Sequence, residues 1–260
     1  MASLSDAHSV LASILGPSAE PLDVLRVADA HRSYWKPHRP RVVLLAESHV
    51  YTDASELTRY LRSGLSVPDD IPREFVRLVY CLGYGENEIL DRPIGSPRNA
   101  GTPQFWKIFQ SCLTPPSQDA DCALLQASRT PNAMLRLAAK LAVLRALQER
   151  GVWLLDASLA ALYLPGNTKP SVGLREAVLH ASYDRYVAGV VESAGPEALI
   201  CIGIGVARAL KTRLDRSRIP WRAVHQPQAH LSAAEHQRIH RAYGAVCADP
   251  HNIEHLPLVV

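Results

Sequence analysis

The sequence predicts an α/β protein, a three-layer α/β/α sandwich around a mostly parallel sheet of four strands. Three observations carry this reading. The segments RVVLLA (41–46), VWLLD (152–156), ALICIGI (198–204) and WRAVH (221–225) are nearly continuous apolar runs rich in β-branched or aromatic residues, as strands buried on both faces require. Segments with helical periodicity lie between them. Strand, helix and strand in alternation imply right-handed crossovers, hence a parallel sheet covered by helices on both sides.

In chain order, residues 1–40 read as two helices ending in the proline-bearing WKPHRP, a helical segment packed on a core domain that spans 41–260. The first strand follows. The Pro- and Gly-rich stretch from Asp91 to Thr102 reads as a long loop. Asn132 is positioned to cap a helix whose apolar side includes Met134, Leu135, Leu137, Ala138, Leu141 and Leu144, with Gly151 as its stop. After the second strand, helices are predicted over Leu174–Val191 and Val206–Leu214. A last one covers Ser232–Val246, with Glu235 in its first turn.

A chain of 260 residues, 47% of them hydrophobic, can bury one large core. No apolar run approaches the ~20 residues needed to span a bilayer, and MASLSDAHSVL lacks the basic start of a secretory signal. The expectation is a soluble, intracellular protein without a membrane partner: cytoplasmic, and nucleoid-associated if it acts on DNA. Cys81, Cys112, Cys122, Cys201 and Cys247 are odd in number and form no C-x-x-C pair. That predicts buried thiols rather than a disulfide framework or a cysteine metal cluster. A net charge of +3 does not diagnose a nucleic-acid partner.

Open parallel sheets collect ligands beyond the carboxyl ends of their strands. There the first strand delivers Glu47, Ser48 and His49, the second ends in Asp156, the third runs into Gly203-Ile204-Gly205 and the fourth closes with His225-Gln226-Pro227. Acids and imidazoles on one rim can divide electrostatic or base work from leaving-group stabilisation. Taken singly, the acids could equally cap the helices that follow and His225 could satisfy backbone groups.

With LLAESH, VWLLDAS, ICIGIGVARAL and VHQPQAHLS in that order, the stretch from about Arg41 to Ser232 resembles the uracil-DNA glycosylase superfamily. The resemblance implies an α/β/α fold and hydrolysis of the N-glycosidic bond of uracil, or a related deaminated base, in DNA. It implies no cofactor, no metal and no obligatory protein partner. It assigns Glu47 to water positioning or stabilisation of the cationic sugar, with His49 in reserve and Ser48 where one branch carries Asp. Asp156 stands where the family has its base-reading Asn, and a carboxylate lacks the donor that an amide supplies. A neutral Asp156 would restore that donor. His225 matches the late histidine that donates to the departing base.

An extruded nucleotide needs an aromatic floor, for which Tyr84 in YCLGYGEN is preferred over Tyr80, Phe105 and Trp106. In the late loop, Gln228, His230 or Leu231 would fill the gap left by the base, because Ala229 is too small. Lys211, Arg213, Arg216, Arg218 and Arg222 form a basic set suited to DNA phosphates, or equally to solvated helix ends. Two alternatives stay open: a non-catalytic nucleic-acid binding module of the same fold, and another α/β hydrolase or nucleoside-processing enzyme using the same rim. Ser48 lacks the Gly-x-Ser-x-Gly elbow of a serine nucleophile.

Overall fold

The computed structural model describes residues 3–94, 102–163, 165 and 168–256. Four parallel strands, β1 (Val42–Ala46), β2 (Val152–Asp156), β3 (Ala198–Ile202) and β4 (Trp221–Val224), form one sheet in the order β2-β1-β3-β4. Every residue of β1, β2 and β3 is buried, which explains why these strands read as unbroken apolar runs rather than alternating ones. Of the stretch expected to form a loop from Asp91 to Thr102, residues 95–101 lie outside the described residues.

Helices flank the sheet in two sets. Helices α3 (Thr102–Leu113), α4 (Ala133–Arg150) and α8 (Ala233–Ala248) pack together on one side. The other set is α1 (Leu4–Leu15), α2 (Leu22–Tyr34), α5 (Val172–Ser182), α6 (Ala188–Ala194) and α7 (Ile204–Arg216). The caps follow local chemistry. Ser3 and Asp6 form a capping box on α1, as Ser232 and Glu235 do on α8. The Asn132 side-chain Oδ1 accepts from the Met134 and Leu135 amides, and Gly151 ends α4 in the left-handed conformation.

Three details depart from the sequence reading. Met134, Leu135 and Ala138 are exposed, because the first turns of α4 turn Arg136 and Lys140 inward to meet Glu86. The helix expected over Leu174–Val191 is two helices joined by a π-turn over Tyr183–Val187. The third strand stops at Ile202 because Gly203 adopts φ +116° and starts α7.

The helices of the first 40 residues contribute Ala7, Leu11, Val24, Leu25 and Ala28 to the common core. Among the described residues no helix is long and apolar enough to cross a membrane.

Candidate active site

The β1–β2 ladder continues past both strands: Ala157 N donates to Ala46 O and Ser158 N to Glu47 O, at 2.8 and 2.9 Å. This fixes Glu47 at the carboxyl edge of the sheet. Its Oε1 accepts from Arg175 Nε at 2.5 Å and its Oε2 from Gln226 Nε2 at 3.0 Å. Two glycines make room for that clamp. A Cβ on Gly203 would meet the Gln226 side chain at 3.0–3.4 Å, and one on Gly205 would meet the Arg175 guanidinium at 2.9–3.4 Å. The IGIG run therefore serves close packing around Glu47, and the positive φ of Gly203 excludes a side chain there on conformational grounds as well.

Asp156 and His49 belong to a buried chain of polar groups completed by the N-terminal segment. Arg32 Nη2 contacts Asp156 Oδ2 at 2.5 Å and His49 Nδ1 at 3.3 Å. A guanidinium can only donate, so Nδ1 is the acceptor nitrogen and Nε2 carries the proton. That Nε2–H donates to Glu20 Oε2 at 2.9 Å. Glu20 also accepts from the Thr52 and Ala161 amides, each at 2.8 Å. Burial disfavours the Glu20 charge, but His49 and the hydrogen bonds outweigh it and hold its pKa below the usual carboxylate value.

Both ring nitrogens of His49 are thus engaged and its side chain is fully buried. It positions Arg32 and has no free nitrogen with which to handle a proton of a substrate, contrary to its reserve catalytic assignment. Asp156 is ion-paired rather than presenting a protonated, amide-like group, and among the described residues its Oδ1 accepts no hydrogen bond.

Ser48, His49, Tyr84 and Asp156, drawn from three distant stretches of sequence, line one narrow cavity of about 40 Å³ together with Arg77 and Phe105. Ser48 Oγ accepts from the Leu162 amide at 3.2 Å, which ties down the loop after β2. Tyr84 is buried and packs edge-to-face on Phe75 at 6.4 Å. Arg77 grips Glu56 through Nε and Nη2 at 2.8 and 2.6 Å.

The other predicted residues lie elsewhere. His225 lines a separate cavity of about 130 Å³ with Leu231, Glu235 and Ile239, and does not reach the one that Asp156 lines. Gln228 and His230 are exposed, and Gln228 Nε2 donates to Gln104 Oε1 at 3.3 Å. Pro227 borders a groove of about 700 Å³ between α3 and α8, whose walls include Lys107, His236, His240 and Arg241. Arg213 is not available to phosphate in the way the basic set suggested, because a bidentate pair with Asp184 at 2.6 and 2.7 Å occupies its fork. Lys211 likewise pairs with Asp215 at 3.0 Å. Arg218 is exposed, in a turn with φ +60°.

All five cysteines are free and buried, and burial pushes the Cys81 thiol up to about 11, away from a reactive thiolate. Among the described residues no cluster of His, Cys, Asp or Glu is arranged to hold a metal ion.

Neither a known family model nor a solved structure matches the chain. Over 74 residues it is 36% identical to an adenine phosphoribosyltransferase of Anaeromyxobacter sp. (strain Fw109-5), a match that covers 27% of this chain and 42% of that protein. The similarity thus spans less than half the length of the curated relative.

Sequence reasoning missed Glu20, Arg32, Arg77 and Arg175. The signal available for Arg175 was the glycine pair at the end of the third strand, whose missing side chains mark a crowded spot.

Proposed function

We propose that the protein is a monofunctional DNA glycosylase that hydrolyses the N-glycosidic bond of uracil or a related deaminated base. The observation that carries this reading is the single cavity shared by Ser48, His49, Tyr84 and Asp156 at the rim that also holds Glu47. The cavity has little more than the ~30 Å³ that one water takes up in the liquid, so an extruded base enters only as the half-buried Phe105 side chain withdraws.

In the bound state Asp156 Oδ1 accepts the ring N–H. Arg77 lines the same cavity with its fork held by Glu56, so it is Arg32, paired to Asp156 Oδ2, that offsets the repulsion between a carboxylate and a base carbonyl. Glu47, with both oxygens already bonded, acts as a fixed negative charge beside the cationic sugar rather than as a proton acceptor. The base leaves with the bonding electron pair, water adds to the sugar carbon and its proton passes through solvent to the departed base, so that an abasic site and the free base result. His225 takes part only if the loop 225–231 carries it toward the leaving base.

The test is incubation of the purified protein with oligonucleotides bearing uracil, hypoxanthine, xanthine or thymine, single- and double-stranded, followed by alkali. Strand breaks that depend on alkali are expected, with Glu47→Gln slowing single-turnover cleavage by about 100-fold or more. Binding without breaks would identify a non-catalytic module instead.

The similarity to an adenine phosphoribosyltransferase favours a second reading, phosphoribosyl transfer to adenine. Consumption of phosphoribosyl pyrophosphate in the presence of adenine, with no abasic sites formed, would establish that reading and remove the first.

A further inference from the structure

A second cavity, of about 190 Å³, lies between α2, β2 and the π-turn. Helix α2 turns Asp29, Arg32 and Ser33 toward it, at the i, i+3, i+4 spacing of one helix face, and Lys36 joins them from just past the helix end. Its apolar floor includes Trp153, Leu155, Leu159 and Val190.

The charges in this cavity are incompletely used. Arg32 spends Nη2 on Asp156 and His49, while its Nε and Nη1 have no hydrogen-bond partner among the described residues, although only 5% of its side chain is exposed. A guanidinium can donate five hydrogen bonds; with both Nη2 hydrogens engaged no two-pronged edge is left, but Nε and Nη1 each keep a donor for a single charge-assisted bond. Lys36 has no carboxylate partner among the described residues and lies 5.2 Å from the centroid of the Trp153 ring. Asp29 accepts from Tyr186 Oη through Oδ2 at 3.1 Å, which leaves Oδ1 for another donor.

The wall thus carries two cations, Arg32 and Lys36, and two anions, Asp29 and Asp156. A simple anion gains no net attraction from that set, whereas a zwitterion engages both signs. We propose that this cavity binds a small apolar α-amino acid. The carboxylate of the amino acid accepts a single hydrogen bond from an unused Arg32 nitrogen, with the Lys36 ammonium nearby as its second cation. Its ammonium donates to Asp29, and its side chain covers Trp153, Leu155 and Val190. The proposal does not rest on glycosylase activity, although the Arg32–Asp156 pair stands between the two cavities.

Calorimetric titration of the full chain with L-leucine tests it. Saturable one-to-one binding is expected, weakened at least ~10-fold in 4-methylpentanoate, which lacks the ammonium, and in 3-methylbutylamine, which lacks the carboxylate. Lys36→Glu should weaken leucine by about the same factor. Val190→Trp, or Ser193→Trp at the exposed mouth, should abolish binding while the circular dichroism spectrum and Tm hold. Absence of saturable leucine binding overturns the proposal, as does equal binding of 4-methylpentanoate or undiminished binding by both tryptophan variants.

Discussion

Two buried ion clusters flank the core, and they differ in completeness rather than in burial. In the first, Glu86 Oε1 accepts from Lys140 at 2.6 Å and Oε2 from Arg136 Nη2 at 2.5 Å, while Arg136 Nη1 donates to the Thr130 and Pro131 carbonyls, each at 2.6 Å. Lys140 also lies 5.2 Å from the centroid of the Trp106 ring. Both carboxylate oxygens of Glu86 are taken. In the second cluster Glu20 is equally saturated, but at its far end Asp156 Oδ1 and two nitrogens of Arg32 remain without hydrogen-bond partners among the described residues, and both residues line cavities. A closed cluster fixes a fold, whereas one left open at a cavity wall has chemistry to offer a ligand.

Breaking each cluster should expose the difference. Glu86→Gln leaves buried Lys140 without a counter-charge and Arg136 with only the exposed Glu88 at 3.8 Å, and is expected to cost about 3–5 kcal/mol in urea unfolding. Asp156→Asn strands one cation rather than two, at a cavity wall that solvent can reach, and should cost less, about 1–2 kcal/mol, while altering which base is excised. Equal costs would erase the distinction.

Acid should act on the open side through a buried histidine. His31, next to Arg32, donates from Nε2 to Glu74 O at 2.9 Å, its Nδ1 has no partner, and burial holds its pKa down to about 4 against an ordinary 6.5. Because the folded value is depressed, the unfolded chain takes up the proton first as pH falls. Stability is therefore complete above about 6.5 and lost progressively down to about 4. The loss from this group between pH 7 and pH 5 should be about 2 kcal/mol. His31→Phe should remove that dependence when urea midpoints are compared at the two pH values.

The smallest effect on stability belongs to Arg175→Gln, about 1 kcal/mol for a partly buried pair. It should nevertheless change turnover markedly, since Glu47 would lose the clamp that orients it. Unchanged single-turnover rates would mean that the clamp serves packing alone.

The strands and most helices were legible because their signals are local. VWLLD is buried along its whole length as read, and Asn132 and Gly151 bound α4 through their own backbone chemistry. The π-turn over Tyr183–Val187 left no such signature, since its residues are ordinary helix formers whose placement depends on Asp29 and Arg213 elsewhere. Glu47 and Asp156 could be found because strand ends converge on one edge. Their partners could not, because Arg32 lies 124 residues from Asp156 and Arg175 lies 128 from Glu47. The reading of His225 as a third member of one site followed strand order. It missed that β4 is the outer strand, two places from β1, and that it opens onto a cavity of its own.

The pairing of Arg32 with Asp156 also bears on the order in which the molecule is made. At synthesis rates of ~5–20 residues per second, the 124 residues between them take about 6–25 s to emerge. Throughout that interval α2 carries a cation destined for burial with no strand to receive it. Glu20 waits longer still for the amide of Ala161, 141 residues on. The rim of the sheet is therefore finished late in synthesis, and a nascent chain stalled before β2 would hold its first helices apart from the core, exposed to chaperones and proteases.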